Sequence, residues 1–178
     1  MSIEFVVIIL LGFIVVFTIY YLIVFIYRKN KLVQEVKQLA LKVDKMTGIE
    51  FETFVAATLN VHKDFDNILL KGGSGDKGID ITANYKNIPM AIQCKRSKNK
   101  VGRNAVEEIF VASGRFGFEG AMLVTNSELD PTAAELADDV GVEVVDSSNL
   151  FILIGEAISE VHSWSNLNKS LTKSSFKN

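Results

Sequence analysis

The sequence has little cysteine, proline or histidine: one cysteine, two prolines and two histidines occur among 178 residues. The single cysteine, Cys94, cannot form a disulfide within the chain, which agrees with a reducing compartment such as the cytoplasm. The histidines, His62 and His162, lack the spacing of metal ligands. The composition therefore excludes an internal disulfide and does not predict a histidine-based metal centre.

Charge is absent from Phe5 to Tyr27, an uncharged run of 23 residues. A helix of that length is about 34 Å long, and a bilayer core is about 30 Å thick. Tyr20, Tyr21 and Tyr27 lie where an interfacial aromatic belt is expected. A cleaved signal peptide fits poorly, because the run is too long and has no basic residue before it and no cleavage site after it. A buried core helix is a third interpretation, but so long an uncharged run is rare in one. The pattern predicts a transmembrane helix over 5–27, with a short extracytoplasmic segment at 1–4.

Arg28, Lys29 and Lys31 follow the apolar run directly. The positive-inside rule then predicts that the C-terminal part lies in the cytoplasm. Residues 28–46 hold six Lys/Arg and two acids, whereas 47–178 is acidic. An acidic domain contacts DNA only through a local basic patch.

Residues 28–46 contain no glycine or proline and predict a helical linker. Apolar residues repeat along it at alternating four- and three-residue spacing, at Leu32, Val36, Leu39, Val43 and Met46. Two heptads fit either a juxtamembrane helix with one apolar face or a parallel zipper, which would make the protein a homodimer.

From residue 47 the pattern predicts the order α-β-β-β-α-β-α-β-α. Thr47 is a plausible helix N-cap, with Glu50 as its capping-box partner. Strands are predicted at 79–84 and 89–95, and later strands alternate with helices. We expect an α/β domain over 47–162 with a mixed sheet covered on both faces. The segment 163–178, rich in Ser, Asn and Lys, is predicted to be a disordered tail.

Polar side chains interrupt two strands that should be apolar: Asp80 in the first, and Gln93 and Lys95 in the second. Because strand side chains alternate, Gln93 and Lys95 share one face of their strand, opposite Cys94. In the first strand, Ile79 and Ile81 are expected to face away from Asp80. One hairpin register brings Asp80, Gln93 and Lys95 together.

An acid, an amide oxygen and a lysine are the groups that phosphodiester hydrolysis with Mg²⁺ requires. Glu52, on the first helix of the domain, is a candidate second carboxylate. Glu50 competes with it, but its spacing to Thr47 favours capping. The alternative is a buried Asp80–Lys95 ion pair that serves stability alone.

Residues 46–155 resemble the Mrr-type catalytic domain of the PD-(D/E)XK nuclease superfamily, which occurs in type IV restriction endonucleases. The matching motifs follow in the family's order: TGIEFE from Thr47, SGDKGID from Ser74, IQCKR from Ile92, VTNS from Val124 with AELA from Ala134, and VD from Val145 with Leu150.

The resemblance implies a restriction-endonuclease-like αβββαβ core that cleaves DNA with Mg²⁺ or Mn²⁺. Asp80 would be a metal ligand, Gln93 would replace the superfamily's second acid, Lys95 would be the catalytic lysine, and Glu52 would match a helix-borne acid. Lys77 departs from the family, where glycine is usual. The family's typical DNA-recognition domain has no counterpart, and the apolar run takes its place in the chain.

Four basic residues follow Lys95 within eight positions and without an acid: Arg96, Lys98, Lys100 and Arg103. They form either a solvated loop or a surface that contacts DNA phosphates. Asp76 is expected to shape the glycine-rich loop before Asp80.

We expect a membrane-anchored, cytoplasmic, metal-dependent DNA endonuclease that acts against foreign DNA. The alternative is a membrane-tethered DNA-binding or assembly module without turnover.

Overall fold

The computed structural model describes residues 3–71 and 78–175. Within these ranges, a long N-terminal helix precedes a domain whose element order is the predicted one. The elements are α1 Ile3–Val43, α2 Gly48–Val61, β1 Phe65–Leu70, β2 Ile81–Tyr85, β3 Ile88–Lys95, α3 Arg103–Phe116, β4 Gly120–Thr125, α4 Pro131–Val140, β5 Val142–Val145 and α5 Ser147–Ser175.

The strands form one mixed sheet in the order β1-β2-β3-β4-β5. β1, β2 and β3 are antiparallel neighbours, whereas β3, β4 and β5 are parallel. The tight turn between β2 and β3 uses Lys86 and Asn87, both at positive φ, which suits a two-residue hairpin. The parallel strands are joined by α3 and α4. The predicted α/β fold with a mixed sheet is confirmed.

Helices cover both faces of the sheet, and each face has its own apolar core. The core under α2 and α5 includes Phe51, Val55, Ile81, Ile92 and Val124. The core under α3 and α4 includes Ala91, Val106, Ile109, Leu123 and Ala133. Adjacent residues of β3 thus face opposite cores, as the strand period requires.

The predicted start of α2 is confirmed in detail. Thr47 is the N-cap, and the capping box with Glu50 is complete. The Thr47 amide donates to Glu50 Oε2 at 2.7 Å, and the Glu50 amide donates to Thr47 Oγ1 at 3.3 Å. Hydrogen bonds from the backbone and the side chain of Thr47 lower the pKa of the Glu50 carboxyl group, so this carboxylate serves the helix end rather than a metal site.

The start of β2 was predicted two residues too early. Gly78 has φ of 91°, a left-handed conformation that suits glycine, and the ladder begins only at Ile81. Ile79 therefore packs in the α3 core and Ile81 in the opposite core, although the sequence predicted that they share a face. Strand alternation does not extend through a turn.

In the described residues α5 continues to Ser175, past residue 162, where the sequence predicted that the domain ends and a disordered tail begins. No glycine or proline occurs after Gly155 to end the helix. Extending an existing helix is also far easier than nucleating one, so a polar composition alone does not terminate it.

The apolar stripe of the linker packs within the same chain. Val43 is 2% exposed, and Val36, Leu39 and Met46 pack against the core that α5 helps to form. A Cβ at Gly155 of α5 would lie 3.6 Å from Val36, so the two helices approach closely here. The α5 helix therefore occupies the face that a zipper would need.

The N-terminal part of α1 is long and apolar enough to cross a membrane, judged by length and composition alone. The candidate span is Leu10–Val43, and its most apolar window is not buried by the rest of the described chain. Large side chains such as Phe13 and Phe17 are more than half exposed. A soluble core helix would normally be covered.

Candidate active site

An open cavity of about 690 Å³ lies where β2 begins and β3 ends. Asp80, Gln93 and Lys95 all line it, so the structure brings these three side chains together. The antiparallel register pairs Ile81 with Ile92, which sets Asp80 beside Gln93. Helix α3 forms the opposite wall, and the other lining residues are Gly78, Glu107, Glu108, Val111, Ala112 and Arg115.

Asp80 is fixed by its backbone on both sides although it precedes β2. Its amide donates to the Ile92 carbonyl at 2.9 Å, and its carbonyl accepts from the Lys71 amide at 2.8 Å. Its carboxylate Oδ2 accepts from the Cys94 amide at 2.7 Å. The carboxylate is thus held at the mouth of the cavity by β3 itself.

Glu108 of α3 is a site residue that the sequence did not reveal. Its Oε2 accepts from Lys95 Nζ at 2.9 Å and from Gln93 Nε2 at 3.2 Å. The hydrogen bond from Lys95 is the main reason why the pKa of Glu108 is lowered. The structure therefore pairs Lys95 with Glu108, where the sequence suggested an ion pair with Asp80. The only sequence signal was an acid at the edge of the buried stripe of α3, in helical spacing with Ala105 and Ala112.

The amide of Gln93 is buried, with the residue 3% exposed. Its Nε2 is bound by Glu108, but its Oε1 receives no hydrogen bond from any described residue. A buried acceptor without a donor costs about 1–3 kcal/mol. Gln93 also lines the cavity, so this donor-free oxygen is a candidate ligand for a cation.

Glu52 is a half-buried carboxylate on α2, outside the set of described residues that line the cavity. Its pKa is raised by burial and, to a lesser degree, by the charge of Asp80. The two carboxylates are thus near enough to interact electrostatically. Cys94 belongs to the core under α2 and α5. Its burial, followed by the charges of Asp80 and Glu52, raises the pKa of its thiol well above the usual value. It is a neutral core thiol, as predicted.

The donors at this site suit a hard divalent cation. Among residues 3–71 and 78–175, no three His, Cys, Asp or Glu side chains form a cluster able to hold a metal ion. However, Mg²⁺ is often bound by one or two carboxylates, with water completing its shell. The Asp80 carboxylate and Gln93 Oε1 are oxygen donors of this kind, and the Glu52 carboxylate is near enough to Asp80 for their charges to interact.

Three of the four basic residues after β3 have a partner within the described chain. Arg96 donates to the carbonyl of Asp44, just after α1, and is not among the described residues that line the cavity. Lys100 pairs with Glu128 at 2.9 Å, and Arg103 pairs with Glu107 at 2.8 Å. Lys98 is exposed. Arg103 lines a shallow extension of the cavity together with Lys95 and Glu108.

The glycine-rich loop that precedes Asp80, with Asp76 and Lys77, lies outside the described residues. The shaping role expected of Asp76 therefore stays a prediction.

His62 is buried, although its sequence context gave no sign of a partner. It is 6% exposed and bonds Glu156 of α5 at 2.8 Å. Its burial could not be anticipated, because that partner is 94 residues away.

Solved structures with the same fold include restriction endonucleases. AspBHI, a DNA modification-dependent restriction endonuclease, matches with a TM-score of 0.55 and 20% identity over 76% of this chain and 40% of its own. MspJI, solved with a 27-mer oligonucleotide, matches with a TM-score of 0.50 and 16% identity over 71% of this chain and 32% of its own. The chain thus spans less than half the length of either protein, and the likeness defines a restriction-endonuclease-like fold.

The family is shown by sequence as well. The model of the Mrr catalytic domain, described as a restriction endonuclease, matches residues 43–154, well over half of the chain. The protein therefore belongs to the Mrr catalytic-domain family, and the predicted resemblance is confirmed. No curated protein matches the chain.

Proposed function

We propose that the protein is a membrane-anchored, divalent-metal-dependent DNA endonuclease that acts on foreign DNA in the cytoplasm. One observation carries the proposal: Asp80, Gln93 and Lys95 line one cavity in a domain of the restriction endonuclease family, and Gln93 Oε1 accepts no bond there from a described residue. DNA as the substrate is further supported by the names of the structural relatives.

Asp80, Gln93 and Glu52 would hold Mg²⁺ or Mn²⁺. A bound divalent ion supplies Lewis acidity, which lowers the pKa of a water molecule and offsets charge on the phosphate. Asp80 needs no reorganisation for this role, because the Cys94 amide already fixes its carboxylate.

Lys95 supplies a positive charge at the cavity, where it neutralises a phosphate oxygen or orients the attacking water. The Lys95 side chain is 37% exposed, and its ammonium is bound to Glu108. The position of the ammonium is therefore set before DNA arrives. Lys98, Lys100, Arg103 and Arg96 are proposed phosphate contacts, which position DNA without reading its sequence.

The alternative function is a tethered DNA-binding or assembly module without turnover. The Glu108 contact favours this alternative, because the Glu108 carboxylate already accepts hydrogen bonds from Lys95 Nζ and Gln93 Nε2. A catalytic lysine must then leave Glu108, or share it, when DNA binds.

Cleavage of supercoiled plasmid by the full-length protein in detergent, with Mg²⁺ and with EDTA, tests the proposal. We expect nicking or linearisation only with the metal. Asp80→Asn removes the ligand charge at constant shape, and Lys95→Met removes the ammonium but keeps the stem. Each should lower the rate about 100-fold or more.

The matched controls are Glu143→Gln on β5 and Lys63→Met, two exposed positions away from the cavity. Both should cleave as the wild type does. Intact plasmid with every protein would contradict an endonuclease on duplex DNA, and binding without cutting would favour the tethered module. Equal cleavage by all variants would show that the site is elsewhere.

A further inference from the structure

Glu108 contacts both polar residues of β3 through a single oxygen. Its Oε2 accepts from Gln93 Nε2 at 3.2 Å and from Lys95 Nζ at 2.9 Å. An ionised carboxylate can only accept hydrogen bonds, so it binds the NH₂ end of an amide and rejects the carbonyl end. The Gln93 carbonyl oxygen must then point away from α3.

Water cannot replace Glu108 as the partner that sets the orientation of the Gln93 amide, because Gln93 is only 3% exposed. If the amide turned over, its carbonyl oxygen would face the Glu108 carboxylate in a poorly hydrated place, and two acceptors would oppose each other. Gly78 closes the neighbouring side: a Cβ there would lie 3.5 Å from Gln93 Nε2 and 3.7 Å from the Glu108 carbonyl oxygen. The amide therefore has one favourable orientation.

Lys95 keeps Glu108 in its accepting form. The ammonium donates to the same oxygen at 2.9 Å, and a carboxylate that pairs with an ammonium in this way has no proton to offer the Gln93 oxygen. A single helix-borne acid thus orders both β3 side chains.

We propose that Glu108 is a positioning residue, which turns the Gln93 amide so that its Oε1 faces away from α3, without a donor from the described residues, and serves as a metal ligand. The inference rests on the proposed function, because it assigns the oriented oxygen to the divalent cation. It explains how an amide serves where a carboxylate would otherwise be expected: a carboxylate has an oxygen at either end, whereas an amide must be oriented.

This difference between amide and carboxylate gives the test. Mn²⁺ affinity is measured on the full-length protein in detergent, without DNA, from the EPR signal of free Mn²⁺. Four proteins are compared: wild type, Glu108→Leu, Gln93→Glu, and the variant with both changes. Glu108→Leu removes the acceptor and should weaken Mn²⁺ binding about 10-fold or more, the usual effect of losing a residue that orients a ligand.

In the Gln93→Glu background the same Glu108→Leu change should not weaken binding, because either carboxylate oxygen can face the metal. Glu108→Gln in the wild-type background keeps an acceptor and should retain most of the affinity. Asp139→Asn, an exposed acid on α4, is the control for helix substitution. Circular dichroism checks that each variant is folded.

An equal loss from Glu108→Leu in both backgrounds would overturn the proposal, because Glu108 would then be a ligand itself or a structural residue. Loss in Glu108→Gln as large as in Glu108→Leu would also overturn it. If either of these contrary results is obtained while the wild type binds Mn²⁺ and cleaves plasmid, the positioning role of Glu108 fails and the proposed endonuclease function does not. If it binds no Mn²⁺, metal dependence in the proposed function fails with it.

Discussion

Glu52 and Asp80 are carboxylates from different elements whose charges oppose each other next to the cavity. Burial raises the pKa of Glu52 first, and Asp80 raises it further. Ionisation of Glu52 therefore costs more free energy in the folded state than in the unfolded chain, which lowers stability once the group is ionised. A cation between the two would remove that cost, so the site trades stability for ligand binding.

Glu52→Gln should stabilise the protein at neutral pH while it lowers cleavage. The raised pKa means that the penalty is absent well below the usual value of 4.5 and is complete above the folded pKa. Because Glu52 is partly solvated, we expect a gain of less than about 1 kcal/mol, or about 1–3 °C in Tm, at pH 8 and little gain at pH 4.

Thermal unfolding followed by circular dichroism at both pH values measures this difference. Mg²⁺ should raise the Tm of the wild type more than that of Glu52→Gln, because the variant has lost a ligand charge. Glu143→Gln is the matched control on β5. A wild type that is more stable than Glu52→Gln at pH 8 without metal would contradict the role of Glu52.

Strand period and hairpin geometry were sufficient to predict that Asp80, Gln93 and Lys95 come together. They were not sufficient for Glu108, because its contact depends on how α3 crosses the sheet, and no local pattern encodes that crossing. His62 illustrates the same limit: its partner on α5 is distant in sequence. Local rules place side chains on faces, whereas packing decides which faces meet.

At the level of elements, α1 and α5 illustrate what periodicity leaves open. The stripe of α1 indicated a buried face, and the structure supplies α5 as its cover. The sequence could not choose between this and a second copy of the chain, because both satisfy the same apolar spacing. The start of β2 was misplaced for a different reason, since Gly78 adds a turn that alternation does not reveal.

Val43→Ala tests the packing of α1 on the domain. Val43 is 2% exposed, so its truncation should cost about 1–2 kcal/mol in unfolding free energy. Val33→Ala, on the same helix but 41% exposed, should change stability by less than about 0.5 kcal/mol.

Denaturant unfolding in detergent gives both values. The midpoint should not change when protein concentration is raised 20-fold at a fixed detergent ratio, because the stripe is covered within the chain. A midpoint that rises with concentration would favour the zipper dimer instead.

For the whole molecule, α1 is a single helix from Ile3 to Val43, with no break between its apolar and polar parts. At 1.5 Å per residue, the part beyond Tyr27 is about 24 Å long. If 5–27 spans the bilayer, the domain is held close to the membrane surface on a stiff rod rather than a flexible linker. DNA that enters the cell would then meet the site near the membrane, and the chromosome would meet it less often.

Cysteine labelling tests this arrangement directly, because the chain has one cysteine and Cys94 is buried. Ser2→Cys and Ser148→Cys place a reactive thiol at either end of the proposed topology. A membrane-impermeant maleimide should label Ser2→Cys in intact cells and Ser148→Cys only after lysis, since Arg28, Lys29 and Lys31 favour a cytoplasmic domain. The unchanged chain should remain unlabelled under native conditions. Labelling of Ser148→Cys in intact cells would reverse the orientation, and release of the protein by alkaline carbonate would show that α1 does not span the membrane.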